Sequence, residues 1–136
     1  MDNQRYIAMT DNANQSQVRQ VIENWAKAVR DGDMDGILAR HTDDVVMFDV
    51  PPPLQSRGIE AYKRTWDLFF KNNFGDEASF ELVDLDITAG DTVAFCHALL
   101  RIGGSTEPQG RLTIGLQKVR GEWLISHEHH SYPYEG

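Results

Sequence analysis

The sequence contains a single cysteine, no long apolar run and few basic residues, and each scarcity excludes a class of protein. Cys96 has no second cysteine with which to form an internal disulfide, which is compatible with a reducing compartment. No apolar run approaches the roughly 20 residues that cross a bilayer. The formal net charge of −8 is not offset by any basic stripe. We therefore expect no binding to nucleic acid and no association with a membrane.

What the sequence does contain is typical of one soluble globular domain. The chain has 136 residues, of which 40% are hydrophobic and 25% are charged. The first residues are polar and lack the apolar segment of a secretory signal, so we predict a cytoplasmic protein. Residues 1–14 show no apolar periodicity and predict a loose N-terminal tail, whereas residues 15–136 predict a single domain.

The order of the periodic segments predicts an α+β fold. Apolar residues recur at helical spacing from about Ser16 to Val29, and Gly32 is expected to end that helix. Asp33 is expected to cap a short second helix. The period then changes to two in the second half of the chain, which predicts strands. The later predicted elements are a strand, a helix and four antiparallel strands, at about 45–50, 59–73, 80–87, 92–102, 111–119 and 123–131.

The last predicted strand is unusual because three of the five histidines fall within four of its residues. Simple alternation places His127 and His129 on one face, and Glu128 and His130 on the other. A β-bulge would exchange the two faces. The sequence therefore predicts a polar site at this strand but leaves open which pair lines it.

Three stretches of the chain resemble a known family. They are the run WAKAVRDGDMDGILARHTDDVVMFD at 25–49, the tetrapeptide GIEA at 58–61, and GEW followed by HEHHS near the end. Together they resemble the SnoaL-like, ketosteroid-isomerase-like branch of the NTF2-like superfamily over about residues 16–133. The resemblance implies a cone, in which a strongly curved antiparallel sheet wraps around three helices from the N-terminal half and encloses a pocket. It also implies a homodimer formed through the outer sheet face.

The same resemblance assigns roles to individual residues. Asp49 aligns with the general base of the isomerases. Trp25 aligns with their oxyanion-hole tyrosine, and Thr113 or Ile114 aligns with their second oxyanion-hole carboxyl. An indole cannot exchange a proton as a phenol does. The resemblance thus implies that the base is kept and that both oxyanion donors are lost, so the chain is not expected to be a true ketosteroid isomerase.

A second comparison, with the association domain of a calmodulin-dependent kinase, implies a polar pocket that contains Tyr62, His97 and His130. The predicted catalytic residues are therefore Asp49, His97 and His130. The residues predicted to line the pocket are Trp25, Val29, Phe48, Tyr62, Trp66, Phe70, Ile114, His127 and His129.

Metal binding is an alternative use of the last strand. His127 and His129 have the spacing at which two imidazoles on one strand face chelate a metal ion. A catalytic zinc site needs a third protein ligand, and neither His97 nor Asp49 has a spacing that supports that role. We therefore predict no metal and no cofactor.

These residues favour a cofactor-independent acid–base enzyme of isomerase, dehydratase, cyclase or hydrolase type. Its substrate would be a small, largely apolar organic molecule, and replacing Asp49 by asparagine is expected to remove the activity. A non-catalytic module that binds a small ligand or dimerises is the alternative. A carboxylate and a histidine that meet in one cavity would favour the enzyme.

Overall fold

The computed structural model describes residues 2–72 and 80–135, and the side chains from residue 13 onward. It contains three helices and six strands within these ranges. The helices are α1 (Asp2–Asp31), α2 (Met34–Leu38) and α3 (Ile59–Asn72). The strands are β1 (His41–Phe48), β2 (Ser56–Arg57), β3 (Phe80–Ala89), β4 (Val93–Ile102), β5 (Gly110–Val119) and β6 (Glu122–Ser131).

Helix α1 begins much earlier than the sequence pattern predicted. The predicted start near Ser16 is wrong, because the helix runs from Asp2 through most of the segment that was expected to be a loose tail. The apolar stripe marks only the part that packs on the sheet. Residues 2–31 contain neither glycine nor proline, so nothing in their sequence ends a helix. Met1 lies outside the described residues.

The junction between α1 and α2 was predicted correctly. Gly32 adopts a positive φ of 67°, and its amide donates to the carbonyl of Val29 over 3.1 Å. Asp33 caps α2, with its carboxylate accepting from the amide of Gly36. The turn sets α2 against α1 and leads the chain into β1.

The six strands form one sheet in the order β2-β1-β6-β5-β4-β3. Neighbouring strands are antiparallel except for β1 and β6, which pair in parallel, so the expected wholly antiparallel sheet is interrupted at one place. Strand β1 also starts at His41 rather than at residue 45, because its pairing with Ile125 begins before its apolar residues do. Because parallel strands end at the same edge, the segments that follow β1 and β6 lie side by side.

A β-bulge in β6 decides which face each histidine occupies. Leu116 of β5 pairs with Ile125, and Gly115 pairs with His127, so Ser126 is the extra residue. The extra residue reverses the alternation within the strand. Before the bulge, the odd-numbered residues Trp123 and Ile125 face inward. Beyond the bulge, the even-numbered residues Glu128 and His130 face inward instead.

Helices α1 and α3 cover the inner face of the sheet. Trp25 of α1 lies edge-to-face against Trp66 of α3 and Phe80 of β3, with ring centroids 5.9 and 5.4 Å apart. All three rings are almost fully buried. This aromatic contact holds the two helices against the sheet and forms the floor of the site described below.

The outer face of the sheet carries large apolar side chains. Phe95 and Leu99 of β4 are 50% and 38% exposed. His97 lies between them on the same face and is also exposed. No helix in residues 2–72 or 80–135 is long and apolar enough to cross a membrane.

Candidate functional site

A fully buried carboxylate, Glu128, lies at the centre of a hydrogen-bonded cluster. Its Oε2 atom accepts from the hydroxyl of Tyr62 over 2.5 Å and contacts Nε2 of His41 at 2.7 Å. Its Oε1 atom contacts Nε2 of His130 at 3.0 Å. Three elements therefore direct polar groups to one side chain: β1 supplies His41, α3 supplies Tyr62 and β6 supplies both Glu128 and His130.

The cluster keeps Glu128 ionised despite its burial. Burial alone would raise the pKa of this carboxyl, but the hydrogen bonds from His130 and His41 and the charge of these imidazoles outweigh it. The result is a pKa lowered from 4.5 to about 2. Since an ionised carboxylate only accepts hydrogen bonds, each imidazole must present an Nε2–H to it.

Tyr62 links the cluster to the aromatic floor. Its hydroxyl accepts from the indole N–H of Trp25 over 3.0 Å while donating to Glu128. Burial and the nearby charge of Glu128 raise the pKa of Tyr62 well above 10. The phenol therefore stays protonated and serves as a fixed donor rather than as a base.

The side chain of His41 is 1% exposed, against 9% for that of His130. Its Nε2 atom is used by Glu128, and its Nδ1 atom is buried without a hydrogen-bond partner among the described residues. His41 therefore serves as a buried hydrogen-bond donor to Glu128.

A cavity of about 180 Å³ lies on the other side of His130. Its walls come from β1, α3, β3, β4 and β6, and they include Met47, Trp66, Phe69, Phe80, Leu100 and Ile102. His130 forms part of the same wall. Its Nδ1 atom makes no hydrogen bond to any residue that the structure describes. Nδ1 is thus the ring nitrogen of His130 that is left to bond with another group.

Asp49 lies at the edge of the cavity where β1 and β6 end together. It is partly buried, and its Oδ1 atom accepts from the amide of Val50 over 2.8 Å. Burial and then the charge of Asp49 raise the pKa of Tyr132, the first residue after β6. The structure therefore brings Asp49 and His130 to one cavity, although no hydrogen bond joins them.

The other predicted catalytic residue is not in the site, which corrects the prediction for His97. Cys96 and Ala98 point inward from β4, so alternation turns His97 to the exposed outer face. Phe48, His127 and His129 also lie on that outer face, where their rings contact one another, so they do not line the cavity.

The remaining predicted pocket residues divide into two groups. Trp66 lines the cavity as expected. The residues that are instead buried in the core around the cluster, and not in the cavity wall, are Trp25, Val29, Tyr62 and Ile114. Phe70 is partly buried behind Trp66 and does not reach the wall either. These residues were misplaced because the periodicity of an element identifies its inward face but does not distinguish the core from a cavity.

Glu128 and His41 are the residues of the cluster to which the sequence assigned no role. Glu128 was placed on one of the two strand faces that were left open, without a role of its own, and His41 was placed before the first strand. The one available signal was that a carboxylate and a histidine stand two apart at 128 and 130, on the same strand face. That signal could not be separated from the competing pair at 127 and 129 without knowledge of the bulge.

No group of three histidine, cysteine, aspartate or glutamate side chains that could hold a metal ion occurs in the described part of the chain. In the Glu128 cluster both imidazoles direct a ring nitrogen at the carboxylate itself. The cluster is therefore arranged for hydrogen bonding within the protein.

Comparisons with known proteins identify the family to which this fold belongs. The profile of the SnoaL-like domain matches residues 18–135. An NTF2-like protein from Pseudomonas putida KT2440, described as of unknown function, is 37% identical; the match covers 91% of this chain and 89% of that one, with a TM-score of 0.83. An NTF2-like protein with a cystatin-like fold from Novosphingobium aromaticivorans is 13% identical, with coverages of 91% and 84% and a TM-score of 0.72.

A third similar structure comes from Streptomyces avermitilis and is provisionally named a dehydratase of the NTF2-like family. It is 19% identical, with coverages of 90% and 98% and a TM-score of 0.73. A comparison with curated proteins finds no match. The profile match and the relative at 37% identity each span most of the chain. The protein therefore belongs to the SnoaL-like family of the NTF2-like superfamily.

Proposed function

We propose that this protein is a cofactor-independent acid–base enzyme that acts on a small, largely apolar molecule held in the cavity. The observation that carries the proposal is His130, an imidazole in the cavity wall whose other nitrogen is bonded to a buried, ionised carboxylate. A carboxylate in that position fixes the tautomer of the imidazole and stabilises the imidazolium that forms when it takes a proton.

The chemistry follows from which atoms are free. With Nε2–H donated to Glu128, the unprotonated Nδ1 atom of His130 can accept a proton from a substrate C–H or O–H group and return it later. Asp49 supplies a second titratable group at the edge of the same cavity. A pair of such groups supports isomerisation, dehydration or ring opening, in which a proton leaves one position and another arrives elsewhere.

The cavity walls favour a neutral or apolar substrate body. They include Trp66, Phe69, Phe80 and Leu100 and contain no lysine or arginine among the described residues. Structures of the same fold carry provisional names as a dehydratase, a ketosteroid isomerase and an aromatic ring hydroxylase. Because this chain lacks the oxyanion donors of the isomerases at the aligned positions, we do not expect it to isomerise Δ5-3-ketosteroids.

A non-catalytic ligand-binding module is the second candidate. It is favoured by one observation: Tyr62, His41 and Glu128 satisfy one another inside the protein and none of them lines the cavity. In that case the cluster would serve stability alone, and His130 would only orient a ligand.

A substrate-independent probe separates the two candidates. In 5-nitrobenzisoxazole, loss of the ring C–H proton to a base breaks the N–O bond and releases a coloured cyanonitrophenolate. We expect saturable turnover at least about 10²-fold faster than with an equal concentration of free imidazole, because a positioned base gives that order of gain. Absorbance of the product measures it. Replacing Ile102 by tryptophan should fill the cavity and abolish saturation. Turnover no faster than imidazole would favour the binding module.

We also propose that two copies of the chain pair through the outer sheet face. Phe95 and Leu99 would otherwise leave a large apolar surface in water. We expect light scattering at micromolar concentration to give twice the mass of one chain, and Phe95→Asp to give the mass of one. Leu54→Asp is the matched control, since Leu54 is 95% exposed in a loop away from that face. A parent protein that already has the mass of a single chain would refute the pairing.

A further inference from the structure

A groove of about 330 Å³ adjoins the cavity. Its walls are the loop after β1, strand β2 and helix α3, and the two spaces share Asp49, Pro51, Thr65 and Leu68. Because four wall residues belong to both, the two spaces are neighbours. We refer to the cavity and the groove together as the binding region.

The two halves of this region differ in charge. The groove is lined by two arginines, Arg57 of β2 and Arg64 of α3. The guanidinium group of neither arginine makes an ion pair or hydrogen bond with any residue that the structure describes. Two unpaired guanidinium groups in one groove are notable in a chain whose net charge is −8. Asp49 borders both spaces, but the described walls of the cavity contain no lysine or arginine.

We propose that the natural ligand has two parts: an apolar body in the cavity and an anionic group, such as a phosphate, sulfonate or carboxylate, held by Arg57 and Arg64. The charge order fixes the orientation. An anion in the cavity would lie among apolar walls with no lysine or arginine in the described part of the lining, whereas in the groove it meets two planar donors that suit oxyanions. The proposal rests on the proposed function in one respect, because it takes the cavity as the place where the reaction occurs.

Two dyes that differ by one sulfonate group test the proposal. 8-Anilinonaphthalene-1-sulfonate carries a sulfonate, and N-phenyl-1-naphthylamine has the same rings without it. Dye fluorescence would be titrated with the parent, with Arg57→Gln, Arg64→Gln and the double variant, and with Arg120→Gln as the control. Arg120 lies in the turn between β5 and β6 and outside the groove.

We expect each groove variant to weaken sulfonate binding about three- to fivefold, which is the scale of an exposed charge pair, and the double variant to weaken it about tenfold. The neutral dye should be unaffected, and 0.5 M salt should reduce the difference between the dyes. Ile102→Trp should weaken both dyes equally.

Equal losses for both dyes, or no loss for the sulfonate, would overturn the proposal. These outcomes are independent of catalysis, because dye binding requires no proton transfer by His130. Failure of the benzisoxazole reaction would leave the dye result standing, and the reverse also holds. Sulfonate binding that survives Ile102→Trp but not the arginine variants would place the whole dye in the groove and would also refute the two-part ligand.

Discussion

Replacing Glu128 by alanine is expected to lower the free energy of unfolding by about 3–5 kcal/mol, the cost of removing one partner from a buried charged pair. The substitution would leave the hydroxyl of Tyr62 and the Nε2–H groups of His41 and His130 without an acceptor. Urea unfolding followed by tryptophan fluorescence measures the change.

Two further variants make this result specific. Glu128→Gln keeps the shape of the side chain and one acceptor oxygen, so it should cost less than alanine. Glu122→Gln lies on the same strand, but its ion pair with Arg40 is exposed, so we expect a change within about 0.5 kcal/mol. A loss below 1 kcal/mol for Glu128→Ala would mean that the cluster contributes little to folding.

The parent protein should also lose stability in acid, because protonation removes the charge of the Glu128 carboxylate. The pKa of Glu128 is about 2 in the folded protein against 4.5 ordinarily, so the unfolded chain binds the proton first. The contribution of Glu128 is present in full above about pH 5 and disappears as the pH falls toward 2. Its size is about 3 kcal/mol. The free energy of unfolding of the Glu128→Gln variant should therefore fall less steeply with decreasing pH than that of the parent.

Replacing His130 by glutamine is expected to reduce turnover of 5-nitrobenzisoxazole by about 10²–10⁴, the usual contribution of a general base. An amide can still donate a hydrogen bond to Glu128 but cannot accept a proton. The fold should therefore persist while the rate falls. The rate is measured as kcat and KM, and we expect kcat to carry the loss because the cavity keeps its shape.

His129→Gln is the matched control for His130, since His129 is adjacent in sequence but exposed on the outer face. Asp49→Asn completes the set. The larger loss between Asp49→Asn and His130→Gln identifies which group removes the proton from this probe. Parent-like rates in both variants would exclude acid–base catalysis by this cavity.

The order and type of the main elements were predictable from the sequence because periodicity is a local property. A period near 3.6 in α1 and α3 and a period of two after residue 80 follow from which side chains face the core. The start of α1 was not predictable in this way, because its first turns carry no apolar stripe. Strand β2 was missed since two residues cannot show a period.

The site was predictable only in part, and His97 shows why. In β4 the residues on both faces are apolar, with Cys96 and Leu100 on one side and Phe95 and Leu99 on the other. Alternation states that His97 shares a face with Phe95 but not which face is inside. The roles of Asp49 and His130 were assigned from the family resemblance, which indicates the position of a residue in the sequence but not the direction of its side chain. Both residues lie at the cavity.

The extra residue at Ser126 means that a gene can lose this codon without exchanging the two faces of the strand. Leu116 and Gly115 already pair with Ile125 and His127, so without Ser126 the strand would alternate regularly and Glu128 and His130 would still face inward. Among homologous genes, an in-frame deletion at this codon would therefore keep the carboxylate–imidazole site. Alignments of such genes need a gap placed at this codon before residues on either side of it are compared.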